Sequence, residues 1–247
     1  MTILRKTRLI TIIILTALIL TGCYNTLLPF RIPTKKPKIS ENAIKKDIPK
    51  YENGDLFAYY RFTKQKQEQL GLSVPENGYD SLMIRFWYSY PENLNQYAEL
   101  VELKFDSIGK TSADYIKMLN FFNPTRLYEK VNRHFDTIVS PQCGWNTLLD
   151  SIQQFGITQL PTQEFLPEYI EINKGERDYG NTFMTICIEV STKNEYRFFQ
   201  YNNFEKYKNI DEVDRLYRFL LFFREQMGLR ENDKGWYGEE ITTGNTQ

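Results

Sequence analysis

Apolar and polar residues alternate in several stretches of the chain, which is the pattern of β-strands that bury one face. In the clearest case, Val101, Leu103 and Phe105 alternate with two charged residues. Residues 99–105 therefore predict a strand with one exposed face. Residues 81–90 alternate as well. One face of that segment carries Leu82, Ile84, Phe86, Tyr88 and Tyr90, and the other carries Met83, Arg85, Trp87 and Ser89.

A β-hairpin is predicted further along the chain. Residues 182–190 (TFMTICIEV) and 195–201 (EYRFFQY) both alternate, and the four residues STKN between them favour a turn. Residues 112–122 predict either a third strand or a short helix, which ends at Asn123-Pro124.

Apolar residues spaced three or four apart predict three helices, at 125–139, 144–156 and 210–228. The first rests on Leu127, Val131, Phe135 and Ile138. The other two end at glycines, which favour the left-handed conformation that closes a helix. Residues 55–72 are ambiguous and read as a strand that runs into a helix.

These elements together predict an α+β fold, with a mostly antiparallel sheet and several packed helices, because strands and helices do not alternate regularly. We assign a single globular domain to residues 55–228. Residues 23–54 are rich in Lys, Pro and Asn without a sustained period, which predicts a flexible tether. Residues 229–247 predict a polar C-terminal tail.

The first 22 residues have the layout of a secretory signal peptide. Arg5, Lys6 and Arg8 precede an apolar run at 9–20 that is too short to span a bilayer. The run ends in LTGC at 20–23. This ending resembles the lipobox of bacterial lipoproteins, which consists of an aliphatic residue, a small residue, Gly or Ala, and Cys.

The resemblance implies that Cys23 receives a diacylglycerol and becomes the first residue after cleavage, so that the lipid on Cys23 attaches the protein to a membrane of the cell envelope. The alternative is an uncleaved anchor, which would place the polar TGCYNT in hydrocarbon at high cost.

The residues after Cys23, YNTLLPF, include no acidic residue. They therefore lack both the acid-rich export signal of some surface lipoproteins and the Asp that retains others in the inner membrane. We expect the outer membrane, facing the periplasm.

Net charge bears on the class of partner, and cysteine content bears on disulfide bonding. The chain has 31 Lys and Arg, three of them in the signal peptide, and 31 Asp and Glu. The rest of the chain therefore carries a slight excess of negative charge, and we expect no nucleic-acid partner. Besides Cys23, the chain contains Cys143 and Cys187. Export would place them in an oxidising compartment, where they either form a disulfide or remain two separate thiols.

The motifs offer little catalytic chemistry. His134 is the only histidine, which excludes a metal site with two imidazoles, and we expect neither a metal nor a cofactor. Cys143 precedes a predicted helix in QCGW, which resembles the nucleophile of papain-like peptidases. Those enzymes place their histidine after the cysteine, whereas His134 precedes Cys143. We therefore assign no catalytic residue.

Three acids are candidates for carboxylate catalysis of the glycosidase kind: Glu189 on the polar face of a strand, and Glu176 and Asp178 on the loop before it. Acids in such positions are usually solvated.

We expect a non-catalytic module that binds an envelope protein or ligand. The alternative is a carboxylate-dependent hydrolase acting on cell-wall or glycan material, and a third option is an inhibitor or immunity-type lipoprotein. Two facing acids in a cleft would indicate the enzyme. An exposed aromatic patch including Trp87, Tyr88 and Tyr90 would indicate binding.

Overall fold

The computed structural model describes residues 44–51, 54–90, 95–123, 128–173 and 184–229. The strands in this part of the chain are β1 (Lys45–Asp47), β2 (Leu82–Tyr90), β3 (Asn95–Phe105), β4 (Thr111–Asn123), β5 (Tyr128–Val139), β6 (Thr185–Thr192) and β7 (Glu195–Asn202). The α-helices of the same residues are α1 (Ala58–Gln69), α2 (Trp145–Gln154), α3 (Pro167–Ile172) and α4 (Asp211–Gln226). None of these helices is long and apolar enough to cross a membrane.

The described strands form one seven-stranded sheet in the order β1-β7-β6-β2-β3-β4-β5. Neighbouring strands are antiparallel, except that β1 runs parallel to β7. The register of β4 and β5 shifts between Leu119 and Asn120, and Asn132 on β5 has no residue directly opposite it. This shift is a β-bulge, which bends the strand locally. The predicted α+β fold with a mostly antiparallel sheet is confirmed.

The first face of the sheet packs against α2 and α4 and forms an apolar core. Strand periodicity places Ile84 and Phe86 of β2 on this face, and the ring of Phe86 lies 4.8 Å from that of Phe223 on α4. The buried apolar stripe of α4 consists of Val213, Leu216, Phe219, Leu220 and Phe223. Burial of each such side chain contributes about 1.5–3 kcal/mol. Apolar area therefore holds this face to its helices.

The second face of the sheet packs against α1. Trp87, Leu100 and Phe198 lie on it and are buried, and the ring of Tyr60 on α1 meets that of Phe198 at 5.2 Å. The prediction of a half-exposed strand for β3 is wrong, because its polar residue Glu102 is also buried. Alternation along one strand shows that its two faces differ in polarity. It does not show that a helix from another part of the chain covers the polar one.

The helix predicted at 125–139 is also wrong, since the described part of this segment is strand β5. Its apolar spacing suits a helix, yet Phe135 and Ile138 are both exposed and form no buried stripe. Pairing with β4 decides the conformation, and the β-branched residues of the segment favour it.

The N-terminal boundary of the domain also needs correction. Lys45–Asp47, assigned to the tether, pair with β7 as strand β1, so the ordered fold begins before residue 55. The signal peptide at 1–22, the rest of the tether up to residue 43 and the tail from 230 lie outside the described residues.

The remaining elements follow the expected pattern. The β6–β7 hairpin and the helices α2 and α4 are confirmed, and both Gly156 and Gly228 adopt the positive φ expected after a helix. The ambiguous segments resolve as helix α1 and strand β4. The loop expected at 157–181 contains α3.

Candidate functional site

A row of charged residues crosses the second face of the sheet beneath α1. Arg85 on β2 lies directly opposite Glu102 on β3 and Glu189 on β6. Arg85 is fully buried, and its Nε donates to Glu102 Oε2 at 2.5 Å. Its Nη2 donates to the carbonyl and the hydroxyl of Ser73, both at 3.0 Å. The sheet register thus places opposite charges side by side.

Helix α1 and the 3₁₀ turn Pro75–Asn77 close this row from above. Lys64 on α1 places its Nζ 2.6 Å from Glu189 Oε1 and 2.7 Å from Glu76 Oε1. The hydroxyl of Tyr60 also donates to Glu76, at 2.9 Å. Lys64 therefore ties its helix to both the sheet and the turn.

Glu189 is the centre of this arrangement and is 1 % exposed. Besides Lys64, the indole Nε1 of Trp87 and the hydroxyl of Tyr196 each donate to its carboxylate at 2.7 Å. Burial alone would raise the pKa of Glu189, but the charges of Lys64 and Arg85 and the donated hydrogen bonds outweigh burial and lower it. Glu189 is thus held as a carboxylate.

We call this set the buried ionic network. It consists of Arg85, Lys64 and Lys104 together with Glu76, Glu102 and Glu189. Three cations balance three carboxylates, as burial of charge requires. Lys104 lies at the edge, where it also meets Asp114 at 3.3 Å. Because Glu76, Glu102 and Glu189 are buried and paired, none of them faces an open cleft, and the expectation that Glu189 is solvated is wrong.

A second polar cluster surrounds Glu164, in the 3₁₀ turn Gln163–Phe165. Glu164 Oε1 accepts hydrogen bonds from Gln200 Nε2 at 2.7 Å and Asn202 Nδ2 at 2.9 Å. Among the described residues, Glu164 Oε2 and Gln200 Oε1 are buried without a partner. Burial raises the pKa of Glu164, although its hydrogen bonds oppose this change. Burial acts to raise the pKa of both glutamates, but the net shifts are opposite, because only Glu189 has cations beside it that outweigh burial.

A cavity of about 240 Å³ lies on the other face of the sheet, between α2 and strands β2, β6 and β7. Leu149, Ile152 and Val190 contribute apolar lining, and Thr158 and Gln159 contribute polar lining. Its volume is below the usual range of small-molecule sites, about 300–1,000 Å³. Its lining contains a single acid, Glu195, so it lacks the pair of facing acids expected of a glycan hydrolase.

The outer edge of β5 is an accessible edge of the sheet. No described strand pairs with it, and residues 134–138 are all exposed. Phe135 is 58 % exposed and Ile138 is 79 % exposed. Earlier in the strand, the backbone N–H of Val131 donates to Gln69 Oε1 of α1 at 2.7 Å. We call the part of β5 from 133 to 139 the β5 edge; among the described residues no strand occupies it, and its backbone could accept another strand.

The other edge of the sheet is protected. It is the short strand β1, whose residues are Lys45, Lys46 and Asp47, all exposed. Lys45 is paired with Glu195 at 2.7 Å, and Asp47 with Arg197 at 3.0 Å. Short length and lysines are the features by which natural sheets prevent edge-to-edge association. The β5 edge, by contrast, is longer than β1 and bears the exposed apolar residues Phe135 and Ile138.

The residues singled out in the sequence lie in different parts of the structure. Trp87 and Tyr88 are buried, on opposite faces of the sheet, so these two residues do not form the exposed aromatic patch that would indicate binding. Tyr90 lies on β2, where the description covers only its backbone. Cys143 and Cys187 are free thiols, with Cys143 half-exposed and Cys187 buried beneath α1. His134 lies on the β5 edge rather than on a helix.

Three residues considered earlier, Cys23, Glu176 and Asp178, lie outside the described part of the chain. Within that part, no three His, Cys, Asp or Glu side chains come together in a way that could hold a metal ion.

Sequence reasoning missed the buried ionic network, although one signal was present. Arg85 interrupts an otherwise apolar and aromatic strand, and a lone charge in such a position needs a buried partner. The partners Glu102 and Glu189 lie on strands that are distant along the chain. Only the strand order brings them together.

Comparisons with known proteins give no relative: no protein-family model matches the chain, and neither does any curated protein or solved structure.

Proposed function

We propose that this chain is a lipid-anchored protein of the cell envelope, and that its globular domain is a non-catalytic module that binds a protein through the β5 edge. The observation that carries the binding role is the exposure of Phe135 and Ile138 on a strand whose outer edge pairs with no described strand. An extended segment of another chain would satisfy the open backbone groups of this strand and cover its apolar residues.

The proposed anchor rests on the N-terminal residues. LTGC at 20–23 follows a short apolar run and three basic residues, which supports acylation of Cys23. Acyl chains would hold the domain at the membrane, with the outer membrane facing the periplasm as the proposed location.

Catalysis by carboxylates finds less support. The three glutamates of the buried ionic network are closed off by α1 and paired with cations. A hydrolase needs one acid that can donate a proton and one base or nucleophile, both facing the substrate. The accessible part of the described domain favours binding instead.

The test is a crosslinking pull-down from native membranes with the wild type, Cys23→Ser and Phe135→Lys. We expect a stoichiometric protein partner with the wild type and its loss in both variants. Ile170→Lys is the matched control, because Ile170 on α3 is similarly exposed, at 51 %. It should keep the partner.

A partner that persists with Phe135→Lys would overturn the role of the β5 edge. Membrane attachment that persists with Cys23→Ser would overturn the lipid anchor. If no protein is captured, the binding role fails, and cell-wall and glycan substrates should be tried next.

A further inference from the structure

The open part of the β5 edge is short and has a defined beginning. Gln69 occupies the N–H of Val131, and Asn132 lies at the bulge, so regular pairing with another strand can begin at residue 133. From His134 to Ile138 the side chains, which alternate between the two faces of the strand, are all exposed. Any added strand must therefore match the short sequence centred on Phe135 and Asp136.

Two identical strands can pair antiparallel about a two-fold axis perpendicular to the sheet. Such an axis keeps each side chain on its own face, so every residue lies opposite one with the same parity. The position of the axis decides which side chains meet. An axis at Asp136 would set two carboxylates opposite each other, which is unfavourable.

An axis at Phe135 has the opposite effect. His134 of each copy then lies opposite Asp136 of the other, and this pair occurs twice because of the symmetry. An imidazole N–H can donate to the facing carboxylate. The two Phe135 rings meet at the axis, and aromatic cross-strand pairs stabilise sheets. The edge is therefore complementary to itself in both charge and apolar character.

We infer that the partner of the β5 edge is a second copy of this chain, paired antiparallel about Phe135 over residues 133–137. The inference rests on the proposed function, since it names the partner of the same edge. The paired sheets would continue through the two-fold axis as one sheet. The self-complementary arrangement of His134, Phe135 and Asp136 favours a second copy over an unrelated chain.

The experiment uses two full-length copies with different tags, co-expressed and purified together from membranes in mild detergent. We expect the wild-type copies to co-purify. His134→Asp in both copies places like charges opposite each other at two symmetric positions, and we expect roughly tenfold weaker association. The double variant His134→Asp with Asp136→His exchanges the two charged positions and should restore association.

Restoration by the double variant is specific to an axis at Phe135, because no other axis makes 134 and 136 face each other. If the copies co-purify equally well in the wild type and in both variants, they pair through another surface, which would overturn the inference. If the tagged copies do not co-purify while Phe135→Lys still removes a different crosslinked protein, the second copy is wrong and the proposed function stands. If Phe135→Lys also changes nothing, both fail. Thermal unfolding of each variant, followed by circular dichroism, checks that these exposed substitutions leave the fold intact.

Discussion

The two faces of the sheet are held to their helices by different forces. The face under α4 is apolar, with Phe86 packed on Phe223, whereas the face under α1 carries the buried ionic network. Apolar contacts tolerate small shifts, because the gain depends on area rather than on direction. Buried ion pairs need correct geometry, because a misplaced charge loses its compensation. The difference indicates that α4 supplies stability and that the ionic network specifies where α1 lies.

The largest expected effect is that of removing the centre of the network. Glu189→Ala leaves the buried Arg85 and the half-buried Lys64 with less compensation, so we expect a loss of about 3–5 kcal/mol in the free energy of unfolding. Urea unfolding measures this loss. A loss below about 1 kcal/mol would mean that water reaches these cations, and the contrast between the two faces would disappear.

The stability of the fold should depend on pH through the half-buried Glu164. The raised pKa of Glu164 keeps its proton on the folded protein above the range in which the unfolded chain loses it. Stability from this group is therefore present at low pH and is lost as pH rises through the folded pKa. Glu164→Gln cannot ionise, and its amide can donate to the free Gln200 Oε1, so the variant should become more stable than the wild type as pH rises.

Urea unfolding of both proteins between about pH 4 and pH 8 gives the required difference. Glu189 has a lowered pKa, so its contribution is lost as pH falls, but it is present in both proteins and cancels. A difference between wild type and Glu164→Gln that does not change with pH would contradict the raised pKa of Glu164.

On the apolar face, removal of one methylene should have a moderate effect. Ile188 on β6 is fully buried in the core under α4. Ile188→Val is expected to cost about 0.5–1.5 kcal/mol, because the cavity it leaves is small. Since no charge is involved, the loss measured by urea unfolding should be the same at low and at high salt. A loss that changed with salt would show that this face depends on charge as well.

The smallest effect is expected at the surface ion pair of β1. Glu195→Gln removes the partner of Lys45, whose side chain is 76 % exposed. Exposed pairs contribute about 0–1 kcal/mol and are screened by salt. The same unfolding measurement serves as the control for Glu189→Ala, since both remove a glutamate from a lysine at similar distance. A loss as large as that of Glu189→Ala would mean that burial is not what distinguishes the two pairs.

Local patterns in the sequence correctly predicted strands β2, β6 and β7 and helix α4. Helix α4 repeats according to the stripe that it buries, and strands β2, β6 and β7 alternate between two faces, both of which are covered in β2 and β6. Strand β5 was misassigned because Val131, Phe135 and Ile138 fit a helical period although the last two are exposed. The burial of Glu189 could not be predicted from its own strand, since it depends on α1, which lies over 100 residues away in the chain. Long-range cover and strand order set the chemistry of the site.

Strand β1 has a mechanical consequence. In a chain anchored as proposed, tension between membrane and domain would pass through this strand, Lys45–Asp47. A pull along the strand axis would shear β1 against its parallel neighbour β7, so that the whole short ladder and the salt bridges at Lys45 and Asp47 carry the load together. A pull across the sheet would instead open the ladder one bond at a time. The strand thus acts as a clamp whose strength depends on the direction of the pull.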